Sequence, residues 1–297
     1  MLPQFLLTEL EKEYGKELLQ QIIDGYSKKR ATTFRINTIK ATKEKVEEEL
    51  LKNNIVFEAY KNITNAYIIK ENIEKIEELE IYKNGEIYVQ SLSSMLPPII
   101  LNPKENTDIL DMAAAPGGKT TQIAALTNNK ANITACEMNN IRLQRLKYNV
   151  DKLGANSVYI MQTDSRRINE FFSFDQILLD APCSGSGTLD INDKNLEQYF
   201  TKQLIDKSIK TQMELLKKAL KILKSGHEMV YSTCSILKCE NEDIVNNVLK
   251  QYNAEIIPID EEKFKEMPIL PARIKGTICL YPNELFEGFF IAKIKKK

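Results

Sequence analysis

Two cysteines follow apolar, strand-like runs, Cys183 after QILLDAP and Cys234 after EMVYST. A thiolate is a strong nucleophile, so a cysteine in such a position could attack an electron-poor ring and form a covalent intermediate. A free thiol is only slightly ionised at neutral pH, and this role therefore requires surroundings that favour the charged form. Buried cysteine is also a common packing residue, and the remaining cysteines are expected to be of that kind: Cys136, Cys239 and Cys279.

A loop of small residues separates a predicted strand from a predicted helix in the segment ILDMAAAPGGKTTQIAAL. The loop consists of Ala113, Ala114, Ala115, Pro116, Gly117, Gly118 and Lys119. GGKTT is similar to a phosphate-binding P-loop, but that pattern requires glycine where Ala113 stands. Pro116 also removes an N–H donor from the stretch that would wrap phosphates. Because small side chains let a ligand lie against the backbone, the loop is predicted to hold a nucleoside cofactor, and a P-loop nucleotide hydrolase is the least favoured alternative.

Acidic residues stand at the ends of successive predicted strands. They are Asp111, Glu137, Asp164 and Asp180. Any one of them could be a helix cap. Four acids at one edge of a sheet would suit a ribose, an adenine amino group and a positively charged sulfonium, and they would repel phosphates unless magnesium intervened. The series therefore favours S-adenosylmethionine over ATP.

A methyl donor beside a thiol suggests one particular reaction. Cytosine C5 is a poor nucleophile, but addition of a thiolate to C6 produces an enamine whose C5 can attack a sulfonium methyl. Asp180 stands between the cofactor edge and Cys183, and a buried carboxyl group that keeps or shares a proton could hydrogen-bond the N3 and N4 edge of the base. From the residues alone, either Cys183 or Cys234 could be the nucleophile.

The elements that must position these residues alternate between strand and helix from residue 107 onward. Strands are predicted at 107–112, 132–137, 157–162, 175–180 and 228–234, and the clearest helix at 201–224. Such alternation predicts an α/β fold with a doubly wound, mostly parallel sheet, in which ligands bind at the carboxyl ends of the strands. Both cysteines and all four acids lie at those ends.

The first part of the chain has a different pattern. A helix is predicted over 4–27, followed by a strand in ATTFRINTIK, a charged helix in TKEKVEEELLKNN and short strand-like runs before the turn at Asn84-Gly85. This order indicates a small α+β module. We therefore divide the chain into an N-terminal module over 1–88 and a catalytic domain over 89–297.

Composition excludes several classes of protein. The chain has 297 residues, of which 43% are hydrophobic, and this suits one large globular domain or a domain with a smaller companion. Five cysteines without a CxxC pair disfavour disulfides and zinc, and a single histidine, His227, removes most histidine chemistry, so no metal site is expected. No apolar run of about 18 residues or secretory leader is evident, which predicts a cytoplasmic protein without membrane contact. Zero net charge leaves only local basic patches.

Six segments are most informative when taken together: DMAAAPGGKTTQIAAL, LLDAPCSGSGT, YSTCS followed by ENE, QSLSSMLPP, RINTIK and GFFIAKIKK. They resemble the motifs of the RNA cytosine-5 methyltransferases of the Nop/Sun family, and the paired PC and TC thiols are the most specific of them. The resemblance covers nearly the whole chain. It implies a Rossmann-like class I fold and S-adenosylmethionine-dependent methylation of C5 of a cytosine in ribosomal or transfer RNA, through a covalent Cys–C6 adduct.

The resemblance also assigns roles to residues. It makes Cys234 the nucleophile, because the family attacks with the TC thiol, and it makes Cys183 the second thiol, which assists breakdown of the adduct. The implied cofactor contacts are the loop residues 113–119 with Glu137, Asp164 and Asp180. The N-terminal module is expected to bind RNA, and flanking phosphates could contact Arg35, Arg166 and Arg167.

Two alternatives remain open on the sequence alone. A class I methyltransferase could act on another substrate such as DNA, although the TC thiol speaks against this. An RNA-binding assembly factor could have dispensable catalysis. For an RNA substrate, the target cytosine must lie in a loop, a bulge or an unfolded precursor, because a thiol cannot reach C6 of a stacked base. The sequence names no protein partner.

Overall fold

The computed structural model of this protein describes residues 2–70 and 73–297. Met1, Glu71 and Asn72, which fall in the predicted N-terminal module, lie outside the described residues. The chain forms two compact units, one made of Met1–Arg30 with Leu179–Lys297 and the other of Ala31–Leu178. The boundary predicted at residues 88 and 89 stays a prediction.

The described residues form ten α-helices and thirteen β-strands. In chain order they are α1 (Gln4–Ser27), β1 (Thr32–Ile36), α2 (Lys43–Lys52), β2 (Phe57–Ala59), β3 (Ala66–Ile69), α3 (Ile73–Glu77), α4 (Glu80–Lys83), β4 (Ile87–Val89), α5 (Leu92–Leu101), β5 (Asp108–Asp111), α6 (Gly118–Leu126), β6 (Asn132–Cys136), α7 (Asn140–Leu153), β7 (Val158–Met161), β8 (Phe174–Asp180), α8 (Leu196–Tyr199), α9 (Lys202–Ile222), β9 (Leu223–Thr233), α10 (Glu242–Leu249), β10 (Ala254–Ile256), β11 (Ile269–Leu270), β12 (Ile278–Leu280) and β13 (Phe289–Lys296).

A small antiparallel sheet in the unit Ala31–Leu178 has the strand order β2-β3-β1-β4. Phe34 of β1 pairs with Tyr67 of β3, and their rings stack with centroids 5.2 Å apart. Helix α2 begins where the Thr42 hydroxyl accepts a hydrogen bond from a backbone N–H, and it buries Val46 and Leu50 against this sheet's core. This confirms the α+β character predicted for the N-terminal part.

A parallel sheet occupies the rest of the same unit, in the order β7-β6-β5-β8. Its central strands are apolar on both faces, as Ile109, Leu110 and Ile133 illustrate, because helices cover both sides of such a sheet. From β5 the chain moves to β6 and β7 on one side and then to β8 on the other. The loop after β5 therefore lies at the switch point where doubly wound folds bind ligands, and the predicted fold class is confirmed.

The other unit contains α1, α8 to α10 and strands β9 to β13. Strand β13 pairs antiparallel with β9, β12 and β10, so the parallel arrangement gives way to an antiparallel one here. Helix α9 packs Ile205, Leu216 and Leu220 inward. The helix predicted over 201–224 ends earlier, because Leu223 takes an extended conformation (φ −75°, ψ 131°) and starts β9. Among the described helices, none is long and apolar enough to cross a membrane.

Candidate active site

The loop after β5 is fixed by side chains of α7. Arg142 donates a hydrogen bond from Nη2 to the Ala115 carbonyl oxygen at 2.8 Å, and Asn149 donates from Nδ2 to the Pro116 carbonyl oxygen, also at 2.8 Å. These carbonyls lie between β5 and α6, where the backbone has no strand or helix hydrogen bonds to satisfy them. The two α7 side chains therefore preorganise the backbone against which a flat ligand could lie.

The end of the loop is closely packed against other parts of its unit. Gly117 has φ 110°, which favours glycine, and a Cβ at Gly118 would lie 2.9 Å from the Tyr88 ring. The Lys119 ammonium donates from Nζ to the Ser94 hydroxyl oxygen at 2.6 Å. These residues are thus needed for packing inside the protein, whatever else they contact.

The first two acids of the predicted series are buried and hydrogen-bonded. Asp111 ends β5, and its Oδ2 accepts from the Thr120 hydroxyl at 2.7 Å, which ties the strand end to α6. Glu137 follows β6, and its Oε1 accepts from the Asn139 N–H at 2.8 Å while its Oε2 lies 3.5 Å from Arg142 Nε. A carboxylate offers about four acceptor positions, so Glu137 keeps capacity for ribose hydroxyls.

The third acid, Asp164, binds a neighbouring arginine. It accepts from the Arg166 backbone N–H at 3.0 Å and from the Arg166 guanidinium at 2.6 Å through Nη2. The guanidinium hydrogen bonds are the main cause that lowers the pKa of Asp164. Sequence reasoning assigned Asp164 to the cofactor and Arg166 to RNA, and it missed that the two side chains pair. The available signal was the i, i+2 spacing of Asp164 and Arg166.

The two thiols, which the sequence analysis placed at the ends of two strands, lie together. Cys183 Sγ and Cys234 Sγ are 3.2 Å apart, and both side chains are half-buried. The hydrogen bond with Cys234 is the largest cause that raises the pKa of Cys183 well above its ordinary value, and burial is the next. Cys183 is therefore held as a thiol, and its S–H can donate a hydrogen bond to Cys234 Sγ.

The other three cysteines are buried or half-buried in the protein. Cys136 and Cys279 are buried, and Cys239 is half-buried. Burial raises the pKa of Cys136 to about 11 and that of Cys239 to about 12, so both remain thiols at neutral pH. Within residues 2–70 and 73–297, no group of His, Cys, Asp or Glu side chains could hold a metal ion.

The fourth acid, Asp180, is the last residue of β8 and lies in the same unit as the thiols. Its Oδ1 accepts from the Ser232 hydroxyl at 2.8 Å, and the Ala181 N–H donates to the Ser232 carbonyl oxygen at 2.8 Å. Ser232 stands two residues before Cys234 on β9. The positions of the Asp180 carboxylate and the Cys234 thiol are therefore both fixed by the last residues of β9.

A residue that sequence reasoning left without a role, Glu240, connects the segments that carry the thiols. We call residues 181–188 the PC loop and residues 234–241 the TC loop. The Glu240 carboxylate is completely buried, and it accepts hydrogen bonds from Ser184 in the PC loop and from Ser235 in the TC loop. The sequence showed only that Glu240 is an acid in the ENE segment of the family motif. Nothing in that segment indicated that its side chain is buried.

Helix α1 also contacts both loops. The Tyr14 hydroxyl donates to the Ile236 carbonyl oxygen in the TC loop at 2.5 Å, and the Tyr26 hydroxyl donates to the Ser186 carbonyl oxygen in the PC loop. The predicted N-terminal module included this helix. In the structure α1 belongs to the unit that carries the thiols.

The expectation that Arg35 contacts RNA phosphates is wrong. Its side chain is buried in the unit Ala31–Leu178, where it donates to Gln90 Oε1 at 2.8 Å and to the Thr121 hydroxyl oxygen at 2.8 Å. Burial lowers the pKa of Arg35 to about 10, so the group remains charged. Arg35 is therefore an internal support for α6 and not a surface cation.

Comparison with known proteins places these features in a family. The family described as 16S rRNA methyltransferase RsmB/F matches residues 98–295, and an RsmF/B-like ferredoxin-like domain matches residues 2–74. A ribosomal RNA small subunit methyltransferase F from Shewanella piezotolerans is 33% identical over 99% of this chain and 64% of its own length. A tRNA (cytosine(72)-C(5))-methyltransferase from Pyrococcus horikoshii is 35% identical over 76% of this chain and 57% of its own length.

A solved structure agrees with these relatives. A methyltransferase homolog protein from Pyrococcus horikoshii is 32% identical, with a TM-score of 0.85, over 100% of this chain and 96% of its own. The chain spans less than two thirds of the length of the curated relatives that it matches. Because the family match covers more than half of the chain, this protein belongs to the RsmB/F family of RNA cytosine-5 methyltransferases, the Nop/Sun type that its motifs resemble.

Proposed function

We propose that the protein transfers a methyl group from S-adenosylmethionine to C5 of a cytosine in ribosomal or transfer RNA. The observation that carries this proposal is the pair of thiols, Cys183 and Cys234, with their sulfur atoms 3.2 Å apart. Two adjacent thiols suit a reaction in which one attacks the base and the other assists its release. Relatives named for rRNA and tRNA methylation support the substrate class.

In the proposed reaction the Cys234 thiolate adds to cytosine C6. When bound, S-adenosylmethionine would supply an electrophilic methyl group to C5 and would leave as S-adenosylhomocysteine. Before the attack, the raised pKa keeps Cys183 a thiol that can donate a hydrogen bond to the Cys234 thiolate. Once Cys234 is bound in the adduct, Cys183 is proposed to lose that proton to water, and its Sγ then takes the C5 proton. The bond between Cys234 Sγ and C6 breaks, its electron pair returns to Cys234, and the aromatic ring is restored.

Asp180 is proposed to orient the base. Its carboxylate is held by Ser232 on the strand that leads to Cys234. A cytosine that donates to it from the N4 amino group, and from N3 once that nitrogen is protonated in the adduct, would have a defined relation to the nucleophile. Orientation of this kind contributes to rate because the reacting atoms need not search for one another.

The cofactor contacts are proposed to come from the loop 113–119 with Glu137, Asp164 and Asp180. Their chemistry fits the group: the loop backbone is fixed by α7, and Glu137 is a buried carboxylate suited to ribose hydroxyls. Asp164 would bind the adenine amino group only if it shares or exchanges its contacts with Arg166. We also propose that the protein acts in the cytoplasm, without a membrane or a metal ion.

The test uses labelled S-adenosylmethionine with unmodified total RNA and, in a parallel reaction, unmethylated DNA, with products separated on a denaturing protein gel. We expect Cys183→Ala to trap a covalent protein–RNA adduct, and Cys234→Ala to give neither an adduct nor 5-methylcytosine. Cys239→Ala is the matched control and should behave like the wild type. Methylation by Cys234→Ala would refute the assigned nucleophile, and labelling of DNA in preference to RNA would refute the substrate class.

A further inference from the structure

The buried carboxylate of Glu240 is bonded on all sides by neutral donors. Its Oε1 accepts from the Ser184 N–H at 2.8 Å and from Gln212 Nε2 of α9 at 3.2 Å. Its Oε2 accepts from the Ser184 hydroxyl at 2.5 Å and from the Ser235 hydroxyl at 2.7 Å. These four hydrogen bonds use the whole acceptor capacity of a carboxylate.

Among the described residues, the Glu240 carboxylate is buried without a paired cation. Within the described part of the chain, no lysine or arginine pairs with Glu240. Burying a carboxylate without a cation costs free energy that hydrogen bonds must offset, and an apolar side chain would avoid that cost. The arrangement therefore points to a task for the carboxylate other than filling the core.

The hydrogen bonds reach one particular place on each loop. Ser184 directly follows Cys183, and Ser235 directly follows Cys234. One rigid group thus binds the residue next to each thiol. A further hydrogen bond joins the same loops, since the Gly187 N–H donates to the Cys234 carbonyl oxygen at 2.9 Å. Loss of the carboxylate would accordingly shift the thiols without releasing the loops.

We propose that Glu240 is a positioning residue that holds Cys183 and Cys234 in the mutual arrangement that methyl transfer requires. For the reaction itself this rests on the function proposed above, whereas the geometric role does not depend on it. In the described part of the chain the Glu240 carboxylate hydrogen-bonds Ser184, Ser235 and Gln212 and neither sulfur atom, so its positioning role acts through Ser184 and Ser235.

The first experiment measures the arrangement without RNA or cofactor. Diamide takes two electrons and two protons from the thiols of Cys183 and Cys234, and a disulfide forms between them. We expect Glu240→Ala to slow this disulfide at least about tenfold, because its rate depends on how well the two sulfur atoms are held together. Glu240→Gln should stay within about threefold of wild type, since the amide oxygen can keep the Ser184 N–H bond and the amide N–H can donate to the serine hydroxyls. An unchanged rate in Glu240→Ala would overturn the proposal.

Glu242→Ala is the matched control. Glu242 is also a buried acid of the ENE segment, but it accepts from the Arg273 N–H at 2.9 Å and bonds neither thiol loop. We expect its disulfide rate to equal that of the wild type even if its melting temperature falls. Equal slowing in both variants would mean a general loss of structure and would also overturn the proposal.

The second experiment measures methyl transfer. Glu240→Ala should lower kcat at least about tenfold and leave the dissociation constant for S-adenosylmethionine unchanged, with recovery in Glu240→Gln. If Glu240→Ala does not fold, Ser184→Ala and Ser235→Ala each remove hydrogen bonds from one loop, and wild-type disulfide rates in both would refute the role. If the disulfide results hold but wild-type protein methylates no RNA, the proposed function fails and the loop-positioning role stands.

Discussion

Replacement of Arg142 by alanine tests how the loop 113–119, for which we propose cofactor contacts, is held. The guanidinium donates to the Ala115 carbonyl oxygen at 2.8 Å and lies 3.5 Å from Glu137 Oε2. One side chain therefore fixes both the loop backbone and the carboxylate proposed for the ribose. Its removal leaves the fold with its core intact, because Arg142 sits on the outer face of α7.

The size of the effect follows from exposure. A hydrogen bond from a charged group contributes about 1.5–3 kcal/mol when buried. The Arg142 side chain is 51% exposed, so water and salt screen it, and the ion pair with Glu137 adds about 0–1 kcal/mol. We therefore expect a loss of about 1–2 kcal/mol, which corresponds to a roughly 5- to 30-fold increase in the Kd for S-adenosylmethionine.

Isothermal titration calorimetry with S-adenosylmethionine measures that change directly. Arg145→Ala is the control, since Arg145 lies on the same helix, is exposed and has the same charge. Its Kd should match that of the wild type. An unchanged Kd in Arg142→Ala, or an equal increase in both variants, would refute the reasoning, because the loop would then be held by other contacts or the effect would be one of net charge.

Two further predictions concern ionisation. The hydrogen bond with Cys234 raises the pKa of Cys183, so the rate at which iodoacetamide alkylates Cys183 should still increase with pH above pH 9. Cys234→Ala should increase the alkylation rate of Cys183 at pH 8. An unchanged rate in that variant would contradict the assigned cause. The lowered pKa of Asp164 gives stability that is complete above the unfolded pKa near 4 and is lost as pH falls through the folded pKa. Asp164→Asn should therefore lower Tm more at pH 7 than at pH 2. In a double-mutant cycle we expect a coupling to Arg166→Ala of about 1 kcal/mol, and additive losses would show that the pair is not coupled.

The parallel strands and the residues at their ends could be predicted because their signals are local. An apolar run bounded by turn residues identifies β5, β6 and β8 within one or two positions, and parallel strands bring their carboxyl ends to one edge whatever the details of packing. Cys183 and Cys234 could therefore be expected to meet although they are 51 residues apart.

Other features depend on partners that no local pattern names. Arg35 lies in a strand of β-branched and aromatic residues, and its burial is decided by Gln90 and Thr121, 55 and 86 residues away. Glu240 reads as an ordinary polar residue until Ser184 is brought beside it. Buried polar groups of this kind are specified by tertiary structure, which single-sequence periodicity does not contain.

The contact between α1 and the TC loop has a consequence for biosynthesis. Tyr14 and Ile236 are 222 residues apart in the chain. At a translation rate of about 5–20 residues per second, the ribosome needs roughly 10–45 s to make the second partner after the first. During that interval most of Leu179–Lys297, which forms one unit with α1, is still missing, whereas Leu6, Leu10 and Ile22 are completely buried in the finished protein. We expect the nascent helix to be a site for chaperone binding until the last third of the chain is synthesised.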